Sequence, residues 1–201
     1  MARRKIVPRD ESARATRAAL IAAGLASFDR DGLDISLDAI CARAKLTRGA
    51  FYVHFADRDA FIVAVMREVI DTFVAGLALL PDGRSGGIAR AIELYIAAVD
   101  AGAPAVIGGR ALRLQHVLEA CRRSAVIGGA YRDVLTGARD RLAGAIAADQ
   151  AAGRVRRDVD AGALADLMVI TALGFATRHE LELPLDVART ARTMLALVQP
   201  G

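Results

Sequence analysis

The sequence predicts an all-α protein, on three observations. Hydrophobic residues make up 54% of the chain but aromatics only 4%, so its core must be built mainly from Ala, Leu, Val and Ile. Only five prolines interrupt 201 residues, which leaves long stretches open to helix. No stretch shows the sustained alternation of β-branched residues that marks a half-buried strand. A chain of this length suits one large or two small domains with a substantial core.

A first helix is expected over about residues 10–30, with Leu20, Ala23, Ala26 or Ser27, and Phe28 facing inward and Arg14 and Arg17 outside. Gly32 follows the last apolar turn, as a helix stop should. The second helix begins after Ser36, a good N-cap, with Asp38 in the first turn favourable to the dipole. Ile35 and Ile40 have the spacing of a hydrophobic staple, and the helix ends near Ala44. Only "AKL" separates that end from Thr47, which caps a third helix with a second staple pair, Leu46 and Phe51. Phe51 and Phe55 share one face, and Arg48 and Tyr52 a neighbouring one. Asp57 caps a long fourth helix, roughly 58–80, along which Phe61, Val65, Val69, Phe73 and Leu77 follow an i,i+4 ridge.

"PDGRSGG" (81–87) breaks the chain. Further helices are expected near 88–101, 105–121, 125–152, 160–181 and 185–198, punctuated by "AGAP", "GRVRRDVD" and "ELP". No repeat of 20–50 residues is visible. The expected domains are residues 1–57 and 58–201, joined through the fourth helix without a flexible linker.

The charge is unevenly placed. Residues 1–58 hold 11 Lys+Arg against 7 Asp+Glu, whereas residues 59–201 hold 16 of each, so the net +4 lies wholly in the first part. That is the footprint of a polyanion-binding module joined to a neutral one, or else of a solvated basic surface. Cys41 and Cys121 lie far apart, so neither a CxxC redox site nor a zinc site can be drawn, and no cofactor motif is present. Each falls in an apolar helical pattern where a free Cys acts as a small core residue. A reduced, cytoplasmic setting is expected. "MARRKIVPRDES" has positive charge without an apolar stretch behind it, unlike a signal peptide. The longest apolar run, 163–176, is too short to span a bilayer and contains Asp166, so no membrane partner is expected.

Against this background "LTRGAFYVHF" (46–55) concentrates three of nine aromatics and one of three histidines. Two short helices joined by a three-residue turn and buttressed by a longer one form a helix-turn-helix unit. Phe51 and Phe55 then pin the third helix to the first and fourth. Its N-terminal amides face outward, where they can meet a phosphate. Gly49 lets the backbone approach DNA closely, at about 1 kcal/mol of helix propensity relative to Ala. Arg48 is long enough to reach a base edge, best a guanine, and Tyr52 and His54 can donate to phosphate oxygens. A core stripe accounts for Phe51 and Phe55 but not for Arg48, Gly49, Tyr52 and His54 together.

The stretch "LIAAGLASFDRDGLDISLDAICARAKLTRGAFYVHFADRDAF" (20–61) resembles the DNA-binding domain of TetR-family transcriptional regulators. The resemblance rests on the Ala-Phe pattern before Gly32, on Ser36-Leu37-x-x-Ile40, on Thr47-Arg48-Gly49-Ala50-Phe51-Tyr52-x-His54-Phe55, and on Asp57-Arg58. It implies that Ser36, Thr47, Tyr52, His54 and Arg58 hold phosphates and that Arg48, Gly49, Ala50 and Val53 face the bases, with Leu37 in the same DNA-binding set. Two positions depart from the family pattern. Lys45 stands where the family usually has Gly, strained by about 1–2 kcal/mol if its φ is positive but able to add a phosphate contact. Arg58 stands where Lys is usual. Arg3, Arg4 and Lys5 are candidates for an arm entering the minor groove, or are simply a disordered basic terminus.

The remaining residues match the family only as a helical domain of suitable length. Because 163–176 is apolar nearly all round, it needs cover on every face, which a second copy of the chain would supply. The resemblance points to the same homodimer, formed by the helices near 160–181 and 185–198. Candidate ligand-binding residues are Arg113 and His116, with Glu119 on the same side; Thr171, Phe175 and His179; and the tyrosines Tyr95 and Tyr131. They suit a medium-sized, largely apolar small molecule, anionic if an Arg faces inward. The expected function is a ligand-responsive regulator of transcription, a repressor that releases a palindromic double-stranded DNA operator, with no catalysis. The alternative class is a helical enzyme or metal carrier using Arg113, His116, Glu119 and Cys121.

Overall fold

The computed structural model describes residues 9–78, 87–100, 106–107 and 110–200. Among these the regular structure is helical except for one short strand pair. The helices are α1 (Arg9–Asp31), α2 (Leu37–Ala44), α3 (Arg48–His54), α4 (Arg58–Ala78), α5 (Gly87–Asp100), α6 (Leu114–Arg123), α7 (Ala125–Ala151), α8 (Ala161–Glu180) and α9 (Val187–Val198). The basic residues Arg3, Arg4 and Lys5 and the breaks at 81–86 and 101–104 lie outside the described residues.

The expected starts and stops hold because they are local. Gly32 ends α1 at φ +72°, its amide donating to Phe28 O at 3.1 Å. Asp57 caps α4, its Oδ1 accepting from Ala60 N at 2.7 Å. Asp160 caps α8 by accepting from Ala163 N at 2.8 Å.

The helix expected over 105–121 is a correction. Val106–Ile107 (β1) and Arg110–Ala111 (β2) instead pair antiparallel, and α6 begins only at Leu114. The reason is non-local. Glu180 at the end of α8 accepts from Leu114 N through Oε1 and from Gln115 N through Oε2 at 3.1 Å, satisfying two amides that otherwise have no helical partner.

Two apolar cores lie along the chain. The first is centred on Phe61 of α4, whose ring meets Phe51 at 5.2 Å, Phe55 at 4.9 Å and Phe28 at 6.0 Å, all edge-on. Edge-on aromatic pairs contribute about 0.5–1.5 kcal/mol each beyond burial. α1 makes room with Gly24, where a Cβ would sit 2.5 Å from the Phe61 ring. Val117, Ala120 and Ile127, from α6 and α7, also bury their side chains in this core. The second core joins Ile88, Ile92 and Tyr95 of α5 to Ile146 of α7, Leu164 and Phe175 of α8, and Val198 of α9. At its edge the buried Asp149 carboxylate accepts from Ile88 N at 2.6 Å and from Arg154 Nη2 at 2.5 Å, so its charge is paired. Gly87, at φ +71°, leaves space for it: a Cβ there would meet Asp149 Oδ2 at 2.7 Å.

α4 is shared by both bodies. Val65, Met66 and Val69 belong to the first core, while the helix also packs on α5 and α7. α8 has 20 residues, 18 of which in a row have a mean hydropathy of 1.3, long and apolar enough by length and composition to cross a membrane. The apolar run 163–176 is thus the middle of a longer helix. In the structure α8 packs broadly on α7, and its Asp166 is held by Arg139 at 2.9 Å.

Candidate nucleic-acid interface and cavity

α2 and α3 form the expected helix-turn-helix. Ser36 Oγ accepts from Ala39 N and Thr47 Oγ1 from Ala50 N, each at 3.2 Å. Lys45 sits between them with φ 58° and ψ 39°. Its amide donates to Ala42 O at 3.1 Å and that of Leu46 to Cys41 O at 2.9 Å, the paired bonds of a Schellman turn. That turn is the physical reason α3 leaves α2 so sharply.

Phe51 anchors α3, fully buried, and turns the other face outward. Ser36, Lys45, Thr47, Arg48 and Gly49 are exposed, Leu37, Ala50 and His54 half-buried. Tyr52 is 52% and Val53 78% exposed, unusual for such side chains without a partner. Arg48 rests against Asp38 of α2 at 3.2 Å; both side chains are exposed, so the pair is easily exchanged for another anion. Arg17 of α1 lies over the Phe55 ring at 5.4 Å, near the same surface.

Two positions on this surface act against local stability in opposite senses. Gly49 is a helical residue with no need to be glycine: its φ is ordinary, and a Cβ would meet only Thr47 Oγ1, at 3.7 Å. Lys45 holds a left-handed conformation that glycine would adopt without strain. Neither choice serves the protein's own packing. Departures of this kind gather where a surface meets a partner.

Arg58 is placed differently from the expectation that it holds a phosphate. Its guanidinium turns inward, donating to Leu33 O and, at 3.0 Å, to Ile35 O. It thereby ties the start of α4 to the α1–α2 connection. The sequence signal that α2 needs such a tie, two buried carbonyls after Gly32, is not visible in residue types.

A cavity of about 170 Å³ lies between the two cores, walled by α4, α5, α6, α7, α8 and α9. Tyr95 and Tyr131 line it, together with apolar side chains such as Met66, Val69, Leu135 and Met168. Tyr95 donates to Ala172 O at 3.1 Å and packs on Phe175 at 5.6 Å. Burial pushes the Tyr131 hydroxyl up to about 12, with the nearby Cys121 adding to it, and raises Tyr95 further. The cavity-lining Met, Val and Leu residues could not be told from ordinary core residues by sequence pattern.

The other ligand candidates do not line this cavity. Phe175 is buried behind Tyr95, Thr171 donates to Leu167 O at 2.7 Å within its own helix, and Arg113 and His179 are exposed. His116 instead lines a second, polar cavity of about 310 Å³ between the first core and the α6–α7 corner. There its ring lies against Gly32, with Nδ1 buried and without a hydrogen-bond partner. Glu119 pairs with Arg123 at 2.5 Å, and Arg123 reaches Asp34 at 2.6 Å. That hydrogen bond holds the Asp34 carboxyl below its ordinary value. Among the described residues no three metal-ligating side chains converge. Both cysteines are unpaired, and burial pushes both thiols up.

α8 shows two characters along its length. Ala172 and Leu173 face the cavity, whereas Leu167 (46% exposed) and Ile170 (65%) point outward, with Leu197 of α9 also exposed.

Comparison with known proteins gives the same picture from outside. Residues 20–65 match the family model described as bacterial regulatory proteins, tetR family. Curated protein sequences yield no match. Among solved structures, the regulatory protein TetR from Rhodobacter sphaeroides is similar with 25% identity and a TM-score of 0.62, covering 91% of this chain and 98% of that one. A SmeT–triclosan complex is similar with 24% identity and a TM-score of 0.66, covering 92% of each chain. FadR from Bacillus subtilis in complex with stearoyl-CoA has 16% identity and a TM-score of 0.64, covering 90% of this chain and 96% of that one. The tetR family model is thus matched across α1 to α4, and the helical architecture beyond it is similar to that of these solved structures.

Proposed function

We propose that the chain is a ligand-responsive, DNA-binding transcriptional regulator, a repressor that releases a palindromic operator when a small molecule fills the cavity. The observation that carries this reading is the exposed face of α3, where Arg48, Tyr52 and Val53 surround a glycine that the fold does not need. Ser36, Thr47, Tyr52, His54 and Lys45 contact phosphates, and Arg48 and Val53 the bases. Arg58 supports this surface from behind.

Residues 1–57 act as the DNA-binding domain and 58–201 as the ligand and dimerisation domain, in a cytoplasmic homodimer. The outward row of Leu167 and Ile170 on α8 and Leu197 on α9 supports the interface. A twofold dimer sets two recognition helices about one DNA turn, or a multiple of it, apart. Met66, Val69 and Val117 support the coupling, because each lines the cavity and belongs to the first core. A ligand that displaces them shifts α4 and α6 and so the DNA-binding unit. That SmeT and FadR are seen with triclosan and stearoyl-CoA agrees with a ligand role for this domain.

Gel-shift titration of the full chain against fragments of its host's DNA, in excess competitor, tests the reading. Tight, salt-dependent retention of a few fragments is expected. Retention of all fragments alike would overturn it.

A further inference from the structure

Resting on the reading of the cavity as an effector site, we infer that it takes an uncharged, mainly hydrocarbon or aromatic molecule bearing one oxygen that pairs with the Tyr131 hydroxyl. The wall carries the argument. Among the described residues, no side chain lining the cavity is charged, and its polar side chains are the two tyrosines. The Tyr95 hydroxyl already donates to Ala172 O, an internal bond that holds α5 to α8. The Tyr131 hydroxyl makes no hydrogen bond to another described residue, so its donor is available to a guest.

Charge is disfavoured on two independent counts. No cation in the wall would neutralise a carboxylate or phosphate: Arg132, next to Tyr131 on α7, is exposed and lies towards Gly128, and Arg139 is held by Asp166 and Asp140. The wall also offers water few polar partners, its lining being apolar apart from the two tyrosines. The same shortage of polar partners penalises any anionic guest. Size narrows the class further: at about 170 Å³ the space is below the roughly 300 Å³ at which drug-sized pockets begin, which suits one or two fused rings.

Calorimetric titration of the full chain with 1-naphthol, 1-naphthoate and naphthalene tests this, since the three share one ring frame. Naphthol should bind on the order of 100-fold more tightly than naphthoate. Tyr131→Phe should weaken naphthol about three- to tenfold and leave naphthalene unchanged. Ala176→Leu, which fills part of the wall, should abolish binding of both. Equal or tighter binding of naphthoate overturns the inference, as does no binding of any probe. Naphthol affinity unmoved by Tyr131→Phe overturns the pairing, and affinity unmoved by Ala176→Leu overturns the location. Naphthol binding as expected with no effect on DNA affinity leaves the ligand class standing and overturns the effector reading instead.

Discussion

The hydroxyl of Ser124 donates to the Asp59 carboxylate at 2.6 Å while accepting from Ile127 N at 3.2 Å. One side chain thus caps α7 and fastens the α6–α7 corner to the first turn of α4. Through it the second helical body is tied to the DNA-binding unit beside Arg58.

Removing that tie should be measurable without losing the fold. Ser124→Ala is expected to cost about 1–2 kcal/mol, from the cap and the bond together. In a double-mutant cycle with Asp59→Ala, urea unfolding should give a coupling of about 0.5–1.5 kcal/mol. Strict additivity would show that the contact carries no energy.

The DNA-facing surface should trade stability against binding. Gly49→Ala should raise stability by up to about 1 kcal/mol, because the helix gains propensity and the added Cβ meets only Thr47. Lys45→Gly should also stabilise, by about 1–2 kcal/mol, through relief of the left-handed strain. Both should nevertheless weaken DNA binding, the first by holding the backbone away and the second by removing a charge near phosphate. Thermal melts and DNA titrations on the same samples check this. A stabilised variant with undiminished DNA affinity would contradict the assignment of that position.

On α8, a carboxylate should break the proposed dimer only where the side chain points outward. Leu167→Glu and Ile170→Glu should each yield folded monomer in sedimentation, since an unpaired charge in a dry interface costs several kcal/mol. Val126→Glu, at an equally exposed apolar site on α7, should remain dimeric. Intact dimers in the first two variants would place the interface elsewhere.

Local chemistry was legible in the sequence, and long-range chemistry was not. Ser36, Thr47 and Asp57 could be read as caps because each bonds an amide three residues on. Lys45 was singled out through the resemblance, as a departure from the glycine usual in that turn. The start of α6 could not, since it depends on Glu180, 66 residues away; the pair Gly108–Gly109 was the available signal against helix there. Arg58 was read as a surface charge because nothing in sequence shows the Leu33 and Ile35 carbonyls behind it. In the second helical region the i,i+4 spacing grouped Thr171, Phe175 and His179, which the structure places in different environments. It could not say which face meets the cavity, and that face belongs to Met168, Ala172 and Ala176.

The claim that α3 reads DNA is tested most directly by selecting bound sequences from random duplex DNA, with the natural chain and Arg48→Ala in parallel. The natural chain should enrich a pseudo-palindrome whose half-sites match two recognition helices on one face of the duplex. Arg48→Ala should lose preference at one symmetric base pair in each half-site, at about 1–3 kcal/mol per contact, and keep the rest of the motif. Enrichment of the same motif by both proteins, or of no twofold motif by either, would contradict the account.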